Sequence, residues 1–346
     1  MQNADPGTGV ATAWWAEFDE MLGKVPGPDW SAHDAARERQ DTLTKPQGAL
    51  GRLEDFACWL AGWQGRAKPV LDSAQMIVFA GNHGVTAQGV SPFPPDVTAQ
   101  MVANFEAGGA AICQICEAVG AKLDVVPIDL DRPTRDMTVE PAMSGEECAA
   151  ALALGKEAVD GAADILLLGE MGIGNTTAAA ALCHALLGGD ASDWTGPGTG
   201  LDARGVSRKA EVVSRAVAFH GGLRSSPFEA LRCVGGRELA AITGAILYAR
   251  LRRIPVILDG YVCTAAALVL EKSAPGALGH CIAGHLSAEP AHERLLVHLG
   301  MEPVVKLGMR LGEGTGAAVA LGVLRSAVAA HNGMATFAQA HVDNRD

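Results

Sequence analysis

Short apolar runs alternate with longer helical patterns through most of this chain, and few folds accommodate that alternation. Met76-Ile77-Val78-Phe79-Ala80, Leu123 to Leu130, Ile165-Leu166-Leu167-Leu168, Ile254 to Leu258, His280 to Ala283 and Val304-Val305 each read as a short buried strand. Helical stretches separate them. One runs over 95–118 with a break at Gly108-Gly109, and one ends at Asp160 after the capping box Ser144-x-x-Glu147. Others are an Ala-rich run after Thr177, a helix carrying Lys209, the segment 237–252 and the run from Ala317 to Ala330. A strand followed by a helical crossover returns parallel to its predecessor. The predicted class is therefore α/β, a parallel sheet flanked by helices.

The ends of the chain read differently. Residues 1–70 are predicted helical: Thr12 to Leu22, a helix beginning at Ser31 or Asp34, and Leu50 to Gln64. The tail from Gly333 is helical again. This predicts a small helical domain or arm over 1–70, with 331–346 packing back on it, and an α/β domain over 71–330. A length of 346 residues suits one large domain with an accessory piece. With 49% hydrophobic but only 5% aromatic residues, the core must be aliphatic.

In an open parallel sheet, ligands bind at the carboxyl ends of the strands. Several loops there carry glycines and carboxylates. Gly308, Gly312, Gly314 and Gly316 flank Glu313 ahead of a helix, and Glu170 follows the third strand. Two carboxylates facing a sugar suit substitution at an anomeric carbon; each alone also reads as a cap or ion-pair partner. The loops Gly172-Ile173-Gly174-Asn175-Thr176 and Gly198-Thr199-Gly200 precede helices, where free N–H groups attract phosphate, and Lys209 adds a cation. No GxxxxGK[ST] occurs, and no GxGxxG follows a first strand, so a mononucleotide or sugar phosphate fits better than ATP or NAD.

Other chemistries are disfavoured. His83, His184, His280, His285 and His292 are dispersed without ligand spacing, so no metal is expected. The eight cysteines lie in apolar or helical surroundings, and Cys113-x-x-Cys116 falls inside a helical pattern, which reads as packing. A net charge of −12 argues against nucleic acid and anionic membranes as partners. Without a signal-peptide pattern or a membrane-length apolar run, the expected location is cytoplasmic.

Six segments occurring in order carry a resemblance. They are Thr44-Lys45-Pro46-Gln47-Gly48-Ala49-Leu50-Gly51, then Gly81-Asn82-His83-Gly84-Val85 with Gly89-Val90-Ser91-Pro92-Phe93-Pro94, then the stretch from Gly169 to Thr177. Leu258-Asp259-Gly260, Gly284-His285-Leu286-Ser287-Ala288-Glu289 and Leu311-Gly312-Glu313-Gly314-Thr315-Gly316 complete the set. Over about residues 40–340 the chain resembles the nicotinate-nucleotide–dimethylbenzimidazole phosphoribosyltransferases of cobalamin nucleotide-loop assembly.

The resemblance implies a Rossmann-like sheet, a small helical domain from both chain ends, a homodimer, and no metal or organic cofactor. It implies transfer of phosphoribose from nicotinate mononucleotide to 5,6-dimethylbenzimidazole, inverting C1′ and releasing nicotinate. By similarity Glu313 is the general base and Glu170 an electrostatic or positioning partner. Gly172, Gly174, Asn175, Thr176, Gly198, Lys209 and Ser287 take the phosphate and ribose. Phe93, Pro94, Met101 and Leu311 line the base slot, and His83 is expected to hold its loop. The chain departs from the pattern at Pro95-Asp96, where some members carry Gln or Ala at the first position; broader lower-base choice is the expectation.

Overall fold

The computed structural model describes residues 14–343. The apolar runs form one five-stranded sheet: β1 (Ala74–Ala80), β2 (Lys122–Pro127), β3 (Ile165–Met171), β4 (Val256–Leu258) and β5 (Cys281–Ala283). Its order is β2-β1-β3-β4-β5, and every adjacent pair is parallel. The longest pairing is β1 with β3, from Ala74 opposite Ile165 to Ala80 opposite Met171. The chain reverses its direction of travel across the sheet between these two strands, which is where such sheets open a crevice.

Helices α1 (Ala16–Leu22), α2 (Trp30–Thr42) and α3 (Arg52–Gln64) precede the sheet. Helices α4 (Val97–Glu106) and α5 (Ala111–Val119) connect β1 to β2, and α6 (Gly145–Ala158) connects β2 to β3. Between β3 and β4 lie α7 (Asn175–Leu187), α8 (Ala191–Trp194), α9 (Ala203–His220), α10 (Pro227–Val234) and α11 (Arg237–Leu251). Helix α12 (Tyr261–Ser273) leads to β5; α13 (Pro290–Leu299), α14 (Thr315–Gly333) and α15 (Phe337–Ala340) follow.

Side-chain alternation along the strands divides the core in two. Ile77, Phe79, Leu166, Leu168, Val256 and Leu258 join the layer that contains α6, α7, α11 and α12. Met76, Val78, Ile165, Leu167 and Ile257 point the other way, onto residues of α3, α5 and α14. Strands buried on both faces are mostly apolar, which is why β1 and β3 contain the continuous hydrophobic runs 76–80 and 165–168, with Gln75 and Glu170 outside them. Cys116 packs in the second layer with Cys113 beside it, and burial pushes the Cys116 thiol up to about 12.

Several boundaries differ from expectation. Helix α2 starts at Trp30, not at Ser31 or Asp34, because the Asp29 carboxylate caps it through the Ala32 N–H. The segment 95–118 breaks at Gly108 (φ +75°) as expected, but its first helix starts at Val97 rather than Pro95 and its second ends at Val119. The second strand ends at Pro127, and Asp129 takes a left-handed conformation in the loop beyond. Val304-Val305 is reduced to one parallel bridge between Val305 and His285. Of the helix expected over Thr12 to Leu22, Thr12 and Ala13 lie outside the described residues, as do 1–11 and 344–346 of the expected helical unit.

The tail meets the N-terminal helices. Arg39 on α2 donates to the carbonyls of His331, Asn332 and Met334, and Leu43 forms an antiparallel bridge with Thr336. Helix α1 packs instead on the α/β body, where Phe18 and Leu22 enter the first core layer and Trp14 donates to Glu229. Among the described residues no helix is long and apolar enough to cross a membrane.

Helices α6 and α11 pack through glycines. A methyl group at Gly244 would lie 2.0 Å from the Leu152 carbonyl oxygen, and one at Gly155 would lie 1.8 Å from that of Ala241. Gly244→Ala should therefore force the helices apart and lower stability by about 3 kcal/mol, more than its better helix propensity returns. A fall in the chemical denaturation midpoint would register this; an unchanged midpoint would mean that the pair adjusts freely.

Candidate active site

A cavity of about 520 Å³ opens at the carboxyl edge of the sheet. Glu170 and Met171 at the end of β3 form one side, with Asn175 and Thr176 from the start of α7. Asp259 and Gly260, just after β4, and His285 and Ser287, just after β5, form the floor. Gly198, Phe93 and the segment Arg310-Leu311-Gly312 close the rim.

Glu170 is partly exposed to this cavity and accepts a hydrogen bond from the Asn175 side chain. Removal from bulk water raises its pKa to about 8, helped by the nearby Asp259 charge and opposed by Asn175. At neutral pH this favours the protonated form of Glu170.

Glu313 lies in a strained turn. Its φ is +62°, between Gly312 at +83° and Gly314 at +85°. A left-handed non-glycine residue costs roughly 1–3 kcal/mol and persists only where its surroundings fix it. Three sets of contacts do so. The Glu313 N–H donates to the Glu170 carbonyl at 3.2 Å, and Thr315 returns to the Gly312 carbonyl through its N–H at 3.1 Å and its hydroxyl at 2.8 Å. Asp259 accepts from the N–H groups of Gly314 (3.3 Å), Gly316 (2.7 Å) and Ala317 (3.0 Å). Closeness at this junction also needs Gly169, where a methyl group would come within 2.6 Å of the Gly314 nitrogen.

The Glu313 side chain is buried beside the Ile112 N–H at the start of α5, and its Oε2 has no hydrogen-bond partner. Burial raises its pKa above the ordinary carboxylate range, the Ile112 N–H opposes this, and the Asp259 charge adds to it.

The opposite corner is basic. Lys209 on α9 is 1% exposed and donates to the Thr176 hydroxyl at 2.8 Å and the Gly196 carbonyl at 3.3 Å. Burial lowers its pKa to about 8 even though the Glu289 charge favours its cation. Gly198 is left-handed (φ +54°), and a methyl group there would sit 3.2 Å from the lysine Nζ. Ser287 is buried at the adjoining wall, and its hydroxyl accepts from the Glu289 N–H at 3.2 Å.

The cavity wall thus gathers Glu170, Gly172, Asn175, Thr176, Gly198, Ser287, Phe93 and Leu311. Lys209 stands behind Thr176 and Gly198, Gly174 caps α7 in a left-handed conformation, and Glu313 is next to the wall residue Gly312. Pro94 is exposed outside the lining, and Met101 packs on the second core layer. His83 is buried, with Nε2 2.5 Å from Glu238 Oε1 of α11, away from the lining. Asp259, His285, Glu289 and Arg310 line the cavity although sequence reasoning gave them no role. For the first three, the available signal was a polar residue soon after a strand. Among the described residues, no group of three or more His, Cys, Asp or Glu is arranged to hold a metal ion.

Comparison with known proteins addresses the chain as a whole. A family model described as phosphoribosyltransferase matches residues 25–342. The nicotinate-nucleotide–dimethylbenzimidazole phosphoribosyltransferase of Ruegeria pomeroyi is 59% identical over 95% of this chain and 97% of its own length. That of Jannaschia sp. is 57% identical over 94% and 97%. The crystal structure of the enzyme from Thermus thermophilus superposes with a TM-score of 0.84 at 42% identity, covering 92% of this chain and all of that one. The chain belongs to the nicotinate-nucleotide–dimethylbenzimidazole phosphoribosyltransferase family.

Proposed function

We infer that the protein transfers the 5-phosphoribosyl group of nicotinate mononucleotide to 5,6-dimethylbenzimidazole, giving α-ribazole 5′-phosphate and nicotinate for the lower ligand of cobalamin. The observation that carries this is identity of 57–59% with enzymes of that name over nearly the whole chain.

The site residues support a direct displacement. The bond from C1′ to the pyridinium nitrogen breaks, and its electron pair leaves on nicotinate as a neutral nitrogen that needs no proton. The unprotonated azole nitrogen of the incoming base forms the new bond from the opposite face, which inverts C1′. The proton on the other azole nitrogen must then leave. In this reading Glu313 accepts it, its side chain turning from the Ile112 N–H toward the cavity. An unpartnered Oε2 and a raised pKa suit that role. Glu170 is the electrostatic partner: a cationic pyridinium or ribosyl centre nearby favours loss of its proton.

Free N–H groups at the start of α7, with Gly172, Gly198 and Lys209, form the phosphate corner, Asn175, Thr176 and Ser287 the ribose side, and Phe93 and Leu311 the apolar wall for the base. Pro94 and Met101 support that wall from outside the cavity. The α/β unit of 71–330 then carries the chemistry; the helical unit proposed over 1–70 with 331–346 is supported by the contacts of Arg39 on α2 with the tail, while α1 packs on the α/β body. A cytoplasmic homodimer belongs to the same reading.

Purified protein given nicotinate mononucleotide should release nicotinate only when dimethylbenzimidazole is present, with α-ribazole phosphate appearing by chromatography and mass. Release without the base would mark a nucleosidase, and no release would mark a binding protein. Benzimidazole should compete as an acceptor, given Pro95-Asp96; a steep preference for the dimethyl compound would reject that breadth.

Glu313→Gln should lower kcat by roughly 10²–10⁴-fold, the usual worth of a general base. The base works only when ionised, so activity should rise with pH through a pKa above the ordinary carboxylate range. An unchanged kcat would remove the assignment.

Lys209→Met should weaken nucleotide binding by about 2–3 kcal/mol, a KM higher by roughly 30- to 150-fold. In the unsubstituted enzyme the cation is lost as pH rises through about 8, so kcat/KM should fall above that value. This alkaline limb should vanish in the variant; a surviving limb would remove Lys209 as its source.

A further inference from the structure

We propose that Asp259 is a positioning residue for the transfer reaction, acting through the turn that carries Glu313. The inference rests on Glu313 serving as the base. Asp259 follows β4 and is 1% exposed, yet its neighbours at the cavity edge include the carboxyl groups of Glu170 and Glu313, with Glu238 beyond Glu170. A carboxylate is not buried there for core stability alone. Its compensation comes from one direction. Oδ1 accepts from the Gly316 and Ala317 N–H groups, the free donors at the start of α14, and faces His285 Nε2 at 3.6 Å. Oδ2 accepts from Gly314, the residue directly after Glu313.

The two oxygens thus have separable tasks. Oδ1 caps a helix, a structural duty. Oδ2 pins the left-handed turn, and no other side chain among the described residues bonds the Gly314 N–H. Gly312, immediately before Glu313, stands against Glu170, where a methyl group would lie 2.5 Å from Oε1. Movement of the turn therefore alters the spacing between Glu313 and Glu170 as well as the cavity wall.

Asp259→Asn divides these tasks. The amide keeps one oxygen for Gly316 and Ala317, and turns its NH2 toward the Gly314 N–H, donor against donor. Expected is a folded protein with a thermal midpoint within a few degrees, a KM for nicotinate mononucleotide within about threefold, and kcat lower by roughly tenfold or more. With the neighbouring negative charge gone, the acid limb of kcat should also move to lower pH, which a merely structural loss would not cause. Asp259→Glu keeps the charge, so its acid limb should stay near the original pH while kcat falls.

The deciding measurement is a double-mutant cycle. If Asp259 acts through Glu313, Asp259→Asn with Glu313→Gln should have the kcat of Glu313→Gln alone. Multiplying effects would overturn the inference, as would an unchanged kcat in Asp259→Asn. Should Asp259→Asn fail to fold, Asp259→Glu is carried through the same cycle and must give the same non-additivity. Glu313→Gln with undiminished kcat would fail the base assignment itself, a separate result from a fully active Asp259→Asn.

Discussion

The functional edge depends on a carboxylate buried at a helix N-terminus. Four N–H groups at the start of any α-helix lack partners within it, and the dipole there favours negative charge. Asp259 occupies that position for α14 although it belongs to a different strand–loop unit, 55 residues before Gly314. One ionic contact therefore joins the end of β4 to the segment after β5. Without it, the left-handed turn at 312–314 would lose one of the three sets of contacts that hold Glu313, and with it part of the hold on the cavity wall beside Glu170.

The sheet makes this contact available. Parallel pairing sends every strand's carboxyl end to the same edge, so loops distant in sequence converge without long excursions. The short strands β4 and β5 are enough because each delivers one loop; the packing energy comes from the long β1–β3 pair and the helices on both faces. Aliphatic and alanine-rich helices allow close layers, and the glycine contact between α6 and α11 is the extreme case.

Much of this architecture was legible. β1 and β3 showed themselves through the apolar runs 76–80 and 165–168, because burial on both faces leaves little room for polar side chains. The loop glycines before α7 and the Glu313 turn were visible because phosphate-type sites and positive φ both demand small residues. Val304-Val305 misled because two β-branched residues read as a strand end, while the geometry gives Val305 a single bridge. Asp259 carried no role because an Asp after a strand looks like ordinary turn chemistry until its partners are known. The His83–Glu238 pair spans 155 residues and joins a loop to a helix, so no local pattern announces it. Met101, assigned to the base slot by resemblance, is partly buried against the second core layer and does not line the cavity.

The left-handed backbone at residue 313 also bears on how this position can change over evolutionary time. Among chiral residues, Asp and Asn enter that conformation most readily. Either would relieve the turn; Asp would withdraw the carboxylate by one methylene, and Asn would also replace it with a neutral amide. A glutamate there sacrifices local comfort for reach. Under the role proposed for Glu313, the substitutions that stabilise the loop are the ones that shorten the arm, so selection for stability and selection for chemistry would pull this single codon in opposite directions.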